Sequence, residues 1–147
     1  MVIDHIGIVV RSLEEALNQW EVLFGYRRNS DIVLNSRQKV RVVFLTKSGS
    51  LTVKLIEASG PDSPVAAVAK RGGGLHHLCF RCEDLEAQVE LLKANGAVLM
   101  VAPEPGEAFK NGNIAFLMAK NNLNIELIDT LEKEGWITER EPPSLPG

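Results

Sequence analysis

Four polar residues lie in otherwise apolar segments, and their types and spacing could support chemistry. His5 and His77 are 72 residues apart, and Lys54 and Glu126 are also 72 residues apart. Imidazole nitrogens and carboxylate oxygens are common ligands of divalent cations, so His5, His77 and Glu126 predict a metal site with positions left open for water and substrate. Such an open site can polarise a carbonyl oxygen and stabilise an enolate or another oxyanion.

The equal spacing reflects an internal repeat. At the same offset and without gaps, DHIGIVVRSLEEALNQW aligns with HHLCFRCEDLEAQVELL, VRVVFLT aligns with GNIAFLM, and LTVKLIE aligns with LNIELID. A repeat of this kind predicts two copies of one module around a pseudo-twofold axis. If the two modules form facing curved sheets, the four polar residues converge near that axis.

Simpler interpretations exist for each of these residues alone. A single histidine on an apolar strand is more often a hydrogen-bonded core residue, and Glu126 could face solvent from an edge strand. The repeat favours the metal site because a polar group recurs at the same position of both modules. His76 is the other candidate of its pair, but strand alternation places it on the face opposite His77, and the offset selects His77.

Each module is predicted to follow the order β-α-β-β-β. Ser12 and Asp84 are suitable N-caps for the two long helices, and Gly25 and Gly96 end them. The predicted strands cover residues 2–10, 29–34, 39–46, 51–58, 75–81, 98–101, 113–118 and 123–129, and the predicted helices cover residues 13–23, 64–70 and 85–95.

The fold class predicted from this pattern is α+β, with two tandem βαβββ modules that form a cup-shaped sheet and helices outside it. A chain of 147 residues is typical of one domain. We place that domain at residues 1–130, with module one at 1–60, a connecting helix at 61–72 and module two at 73–130. Residues 131–147 are charged and proline-rich and predict a loosely held C-terminal tail, in which Trp136 could dock.

Composition narrows the set of partners and the cellular location. The net charge of −3 argues against nucleic acid or an anionic membrane as the partner. No apolar stretch approaches the roughly 20 residues that a membrane span needs, and no signal peptide is recognisable. Cys79 and Cys82 are three residues apart on a predicted strand and therefore point to opposite faces, which predicts two free thiols in a reducing cytoplasm.

Several segments resemble the vicinal oxygen chelate superfamily, which includes glyoxalases, bleomycin-resistance proteins and extradiol dioxygenases. The resemblance covers residues 2–129 and is carried by DHIGIVV, DSPVAAVAKRGGGLHHLCF, IAFLMAK and NIELID, which look most like the methylmalonyl-CoA epimerase family. It implies a divalent metal ion (Zn, Ni, Co, Mn or Fe) held by His5, His77 and Glu126. It also implies a homodimer and a small-molecule substrate, either an acyl thioester or an α-keto compound.

The sequence departs from the epimerase pattern at two positions. The fourth metal ligand of that family falls on Lys54, whose ammonium has no lone pair, and the family's catalytic glutamate would fall near residues 41–43, where no carboxylate is present. In one hypothesis Lys54 lies beside the metal and pairs with an anionic substrate group, reinforced by Arg41 if that side chain faces inward. In the other, Lys54 pairs with Glu126 and replaces the metal.

We therefore predict a small metal-dependent isomerase or lyase that resembles the epimerases, with Lys54 and Glu126 as catalytic residues. The alternative is a non-catalytic small-molecule binding protein, similar to bleomycin-resistance proteins, with a degenerate metal site. A ring-cleaving dioxygenase is less favoured because such enzymes usually carry an additional pair of modules.

Overall fold

The secondary structure repeats along the chain, as the sequence repeat predicts. The computed structural model describes residues 1–137. Module one contains β1 (Val2–Val9), α1 (Leu13–Phe24), β2 (Arg27–Arg28), β3 (Val33–Asn35), β4 (Val40–Thr46) and β5 (Thr52–Ala58). A short helix α2 (Ala66–Lys70) leads to module two, which contains β6 (Gly74–Arg81), α3 (Leu85–Ala94), β7 (Val98–Gly106), β8 (Gly112–Ala119) and β9 (Leu123–Ile128).

Two predicted strands differ from the observed ones. In place of one strand at residues 29–34, the short strands β2 and β3 flank a segment whose side chains bond to β4. Ser30 Oγ accepts from the Phe44 N–H at 2.8 Å, and Asn29 Oδ1 accepts from Thr46 Oγ1 at 3.1 Å. Strand β7 continues through Pro103 and Pro105 to Gly106, whereas the predicted strand ended at residue 101. Proline is tolerated there because β7 lies at the sheet edge, where its missing N–H breaks no ladder.

The two long helices begin and end where the capping residues predict. Ser12 Oγ accepts from the Glu15 N–H at 3.3 Å, and Asp84 Oδ1 accepts from the Ala87 N–H at 3.0 Å. The spacing of three to four residues predicts that Leu23 continues the apolar face of α1. Leu23 is instead 68% exposed, because it lies in the last turn, beyond the part of the helix that packs on the sheet. Within residues 1–137, no helix combines the length and the apolar character that crossing a bilayer requires.

All nine strands of the described chain join one curved sheet, which confirms the predicted α+β fold. The strand order is β2-β4-β5-β1-β6-β9-β8-β7, and β3 pairs with β4 on the same edge as β2, further along the strand. At the centre, β1 and β6 run antiparallel, and each has the last strand of its own module as its parallel outer neighbour. The helices α1 and α3 pack through their apolar faces on the outer side of the two halves.

The register of the central strands defines the pseudo-twofold axis. Ile6 pairs with Leu78, its own equivalent at the repeat offset, so the axis passes between these two residues. The axis relates the pair His5–Cys79 to the pair Gly7–His77, and the pair Gly7–Lys54 to the pair Cys79–Glu126. The repeat therefore brings the four polar residues to the middle of the sheet.

The central ladder contains two β-bulges, one in each module. The register shifts between Ile3 and His5, which leaves Asp4 as the extra residue, and again opposite Gly7, which leaves His76 as the extra residue. The prediction that His76 lies on the face opposite His77 is wrong, because strict alternation holds only in a strand without a bulge. The two imidazoles are neighbours, with their Nδ1 atoms 2.8 Å apart.

The two cysteines are free and buried in different clusters, as their spacing predicts. Cys79 lies in the cluster that contains Val42, Phe44 and Phe109, whereas Cys82 packs with the residues under α3. Burial raises the pKa of the Cys79 thiol, which keeps it protonated.

The segment that follows β9 is held against the sheet up to residue 137. The backbone of Trp136 forms an isolated antiparallel β-bridge with Ser30, and the centres of the Trp136 and Phe44 rings are 6.3 Å apart. Lys133 Nζ lies 3.2 Å from Asp4 Oδ2. The prediction of a loosely held tail is therefore wrong for residues 131–137, because an aromatic ring and a buried ion pair fix this part; residues 138–147 lie outside the described residues.

Gly7 provides the space that the His77 ring occupies, because a Cβ atom at this position would overlap the imidazole. We predict that Gly7→Ala lowers the free energy of unfolding by about 1–3 kcal/mol, as overpacking does. Urea denaturation measures the loss. Cys79→Ala at the axis-related position is the matched control and should cost less, since it only shortens an existing side chain. A Gly7→Ala variant as stable as the wild type would contradict this packing.

Candidate active site

The concave face of the sheet encloses a cavity of about 350 Å³ that both modules line. Apolar side chains form most of its wall, among them Val40, Ile56, Val101 and Phe116. The titratable groups on the wall are Lys54, His76, His77 and Glu126. An apolar cavity with a few converging polar groups is the usual form of a small-molecule site.

The structure brings the four sequence-predicted residues together. Glu126 Oε1 lies 3.1 Å from His5 Nε2 and 3.4 Å from His77 Nε2, and the two Nε2 atoms are 3.4 Å apart. Lys54 Nζ lies 3.7 Å from the other carboxylate oxygen, Glu126 Oε2. The exposed fractions are 0% for His5, 3% for His77, 1% for Glu126 and 4% for Lys54.

Glu126 is ionised despite its burial. Desolvation would raise its pKa, but the Lys54 ammonium and the two nearby imidazoles hold the pKa well below the ordinary value of a glutamate. Lys54 is also stabilised by aromatic faces, since its Nζ lies 4.9 Å from the centre of the Phe109 ring. The centre of the cup therefore holds a buried carboxylate with an ammonium on one side and two imidazoles on the other.

His77 is neutral at physiological pH. Burial lowers its pKa to about 4, against the attraction of the Glu126 carboxylate, which raises it. Neutral imidazole is the form that donates a lone pair to a metal, so this environment suits a ligand.

The donor atoms fit one divalent ion. Within residues 1–137, Glu126 Oε1 has no partner in hydrogen-bond geometry, although both imidazoles are close to it. Ligand atoms bound to zinc at about 2.0–2.2 Å lie about 3.0–3.5 Å from one another in tetrahedral or octahedral geometry. The observed separations among His5, His77 and Glu126 are 3.1, 3.4 and 3.4 Å.

The sequence patterns do not single out Asp4, which contacts the Nδ1 side of the His5 ring. Asp4 Oδ2 lies 2.7 Å from His5 Nδ1, and its carboxylate also contacts Arg81 at 3.1 Å and Lys133 at 3.2 Å. Burial would raise the pKa of Asp4, but the hydrogen bond with His5 and the charge of Lys133 lower it below the ordinary value. The internal repeat could have pointed to Asp4, because it aligns Asp4 with His76 at the same offset.

Asp4 and Cys79 also lie near His5 in a second group of donor atoms, all within 4.8 Å of one another. This group does not suit a metal, because Arg81 and Lys133 already bind the Asp4 carboxylate. Asp4 instead contacts the Nδ1 side of His5.

Arg41 does not reinforce Lys54. Its guanidinium pairs with Glu57 at 2.9 Å and with Glu14 at 3.3 Å, away from the cavity, so the inward orientation considered for it is wrong. Its neighbour Val40 lines the cavity instead. Among residues 1–137, Glu126 is the only carboxylate on the cavity wall.

Comparison with known proteins agrees with this geometry. Residues 4–116 match the family model of the glyoxalase/bleomycin resistance protein/dioxygenase superfamily. The chain belongs to this superfamily. The match confirms the resemblance seen in the sequence.

Three relatives extend the comparison. The chain is 32% identical to the uncharacterized protein YqjC of Bacillus subtilis, covering 90% of this chain and 93% of that protein. It is 29% identical to the ethylmalonyl-CoA/methylmalonyl-CoA epimerase of Cereibacter sphaeroides, with 81% and 89% covered. The crystal structure of methylmalonyl-CoA epimerase from Mycobacterium tuberculosis superposes with a TM-score of 0.75 at 29% identity, with 86% of each chain covered. These named epimerases confirm the prediction of an enzyme.

The depressed pKa of His77 predicts how the stability of the metal-free protein depends on pH. The unfolded histidine binds a proton below about pH 6.5 and the folded one only below about 4, so stability falls as the pH drops through this window. The loss attributable to His77 is roughly 3 kcal/mol. Urea denaturation in a chelator, at several pH values, measures it.

The control for this pH series is His77→Gln, which keeps a polar group but cannot titrate in the window. Its stability should change less between pH 6.5 and 4 than that of the wild type. Equal slopes for the two proteins would contradict the assignment of the shift to His77.

Proposed function

We propose that the chain is a metal-dependent epimerase that acts on a coenzyme A thioester of a 2-alkylmalonate type. The observation that carries the proposal is Glu126 Oε1, which is buried, has no partner in hydrogen-bond geometry among residues 1–137, and lies 3.1 Å from His5 Nε2 and 3.4 Å from His77 Nε2. Glu126 and His77 line a small-molecule cavity. The substrate class follows from the names of the relatives in Cereibacter sphaeroides and Mycobacterium tuberculosis. The family resemblance also leads us to propose a homodimer located in the cytoplasm.

His5, His77 and Glu126 Oε1 would hold the divalent ion, which when bound supplies a positive charge that polarises a substrate carbonyl. The carboxylate is shared, because its other oxygen faces Lys54. Pairing with Lys54 and binding of a cation therefore use different oxygens of Glu126. For this reason we favour a lysine that lies beside the metal over one that replaces it.

Lys54 and Glu126 occupy axis-related positions, so a substrate seated on the axis meets an ammonium on one side and a carboxylate on the other. Removal of the proton next to a thioester carbonyl leaves an enolate with negative charge on oxygen. The Lys54 ammonium, fixed in a buried site, stabilises that charge without reorganisation of solvent. Glu126 Oε2 is the carboxylate oxygen available to accept the proton, and the Lys54 ammonium on the other side is the group available to donate one to the opposite face, which inverts the carbon. Transfer of the abstracted proton from Glu126 to the neutral Lys54 amine, whose atoms are 3.7 Å apart, then restores both groups.

A second candidate function is non-catalytic binding of a small molecule. Two observations favour it: the Lys54–Glu126 pair balances the buried charges by itself, and within the described residues the cavity wall offers no second carboxylate. In that case the cavity would bind its ligand with the ammonium and the imidazoles alone. Metal content and proton exchange separate the two candidates.

We predict that protein purified without a histidine tag binds about one equivalent of Zn²⁺, Co²⁺, Ni²⁺, Mn²⁺ or Fe²⁺ per chain, and that His77→Ala loses most of it. Elemental analysis after dialysis measures the content. Asn124→Ala is the matched control, because Asn124 also lines the cavity but is not among the proposed ligands. Equal metal in the wild type and in folded His77→Ala would show that the site is assigned wrongly.

We predict that the metal-loaded protein exchanges the C2 proton of methylmalonyl-CoA or ethylmalonyl-CoA with solvent deuterium faster than the protein-free solution does. Lys54→Met should keep its metal and lower kcat by about 10²–10³-fold, as loss of a preorganised charge does. Mass spectrometry of the thioester in D₂O follows the exchange. Metal-loaded wild type that binds a thioester but exchanges no proton would favour the binding protein.

A further inference from the structure

We propose that Asp4 and His76 are positioning residues that fix both ligand imidazoles with Nε2 facing the metal position. The proposal rests on the metal site of the proposed function. The observation behind it is that the same arrangement occurs twice, once in each module, although the partner groups are chemically different.

The two β-bulges create the arrangement. In a regular strand, neighbouring side chains point to opposite faces, so the residue before a ligand histidine could not reach its ring. Each bulge inserts that residue beside the histidine, which places Asp4 Oδ2 2.7 Å from His5 Nδ1 and His76 Nδ1 2.8 Å from His77 Nδ1. Both contacts engage Nδ1 and leave Nε2 pointing toward Glu126.

The partner of His5 determines which ring nitrogen carries the proton. An ionised carboxylate can only accept, so His5 Nδ1 is the N–H donor to Asp4, and Nε2 is the ring nitrogen left to bind a metal. Asp4 stays ionised and in place because Arg81 and Lys133 bind it at 3.1 and 3.2 Å. A negative partner also makes the imidazole a stronger ligand.

The partner of His77 is a second imidazole, but it also contacts Nδ1 and leaves Nε2 for the metal position. Nε2 of His77 faces Glu126, so a metal held there by the Nε2 lone pair would leave the proton of the neutral ring on Nδ1, which would donate to Nδ1 of His76. His76 must then carry its own proton on Nε2. Because His76 lines the cavity, this N–H becomes a donor for a ligand oxygen, so His76 links the ligand to the metal position.

The first test measures the tautomers in the zinc-loaded protein, because without a metal the Nε2 atoms that face Glu126 can carry protons themselves. Nitrogen-15 spectra of the three histidines at neutral pH should show His5 and His77 protonated on Nδ1, and His76 protonated on Nε2. Zinc bound with an unprotonated Nδ1 on either ligand histidine would overturn this proposal and leave the proposed function standing. A wild type that binds no zinc would overturn the proposed function, and this proposal with it.

The second test uses variants with and without an acceptor at the two bulge positions. Asp4→Ala and His76→Ala should weaken Co²⁺ or Zn²⁺ affinity by about 10- to 100-fold in competition with a chelator. Asp4→Asn and His76→Asn keep an oxygen that can accept from Nδ1 and should recover most of the affinity.

Unfolding curves of the same four variants separate the positioning role from general damage. A purely structural role would make affinity follow stability, whereas positioning makes it follow the presence of an acceptor. Folded alanine variants with wild-type affinity, or asparagine variants as weak as the alanine ones, would overturn the proposal.

Discussion

The buried carboxylate of Glu126 is the interaction on which the rest of the structure depends. An isolated carboxylate at 1% exposure would be very costly, and here an ammonium and two imidazoles surround it. Its two oxygens have separate surroundings: Oε2 faces Lys54, and Oε1 faces His5 and His77. Because different oxygens face the lysine and the imidazoles, Lys54 can lie beside a three-ligand cation site without taking the place of the cation.

Duplication explains why so few residues are enough to build the site. Because the axis passes between Ile6 and Leu78, each polar position of one module has an equivalent across the axis, and the two halves have since diverged. Where one module has Lys54 the other has Glu126, so equal positions carry opposite charges. Where one bulge places an acid behind its histidine, the other places a second imidazole. The symmetry thus sets the geometry, while the differences between the halves set the chemistry.

The repeat made the fold and the convergence of the four polar residues predictable, because register at a fixed offset determines which residues share the axis. What could not be predicted depends on contacts between distant segments. The side on which His76 lies is set by a bulge in the pairing of β1 with β6, and Arg41 turns outward because Glu57 and Glu14 lie there. Trp136 packs against Phe44, a contact between segments far apart in the sequence that no local pattern reveals.

The contact between Lys133 and Asp4 joins the two ends of the described chain directly behind His5. A growing polypeptide lacks this contact until its last strand has been synthesised. The cup can therefore reach its finished form only after Lys133 has left the ribosome, and shortened products that stop before Lys133 would leave Arg81 as the remaining cation on the acid that holds the first histidine.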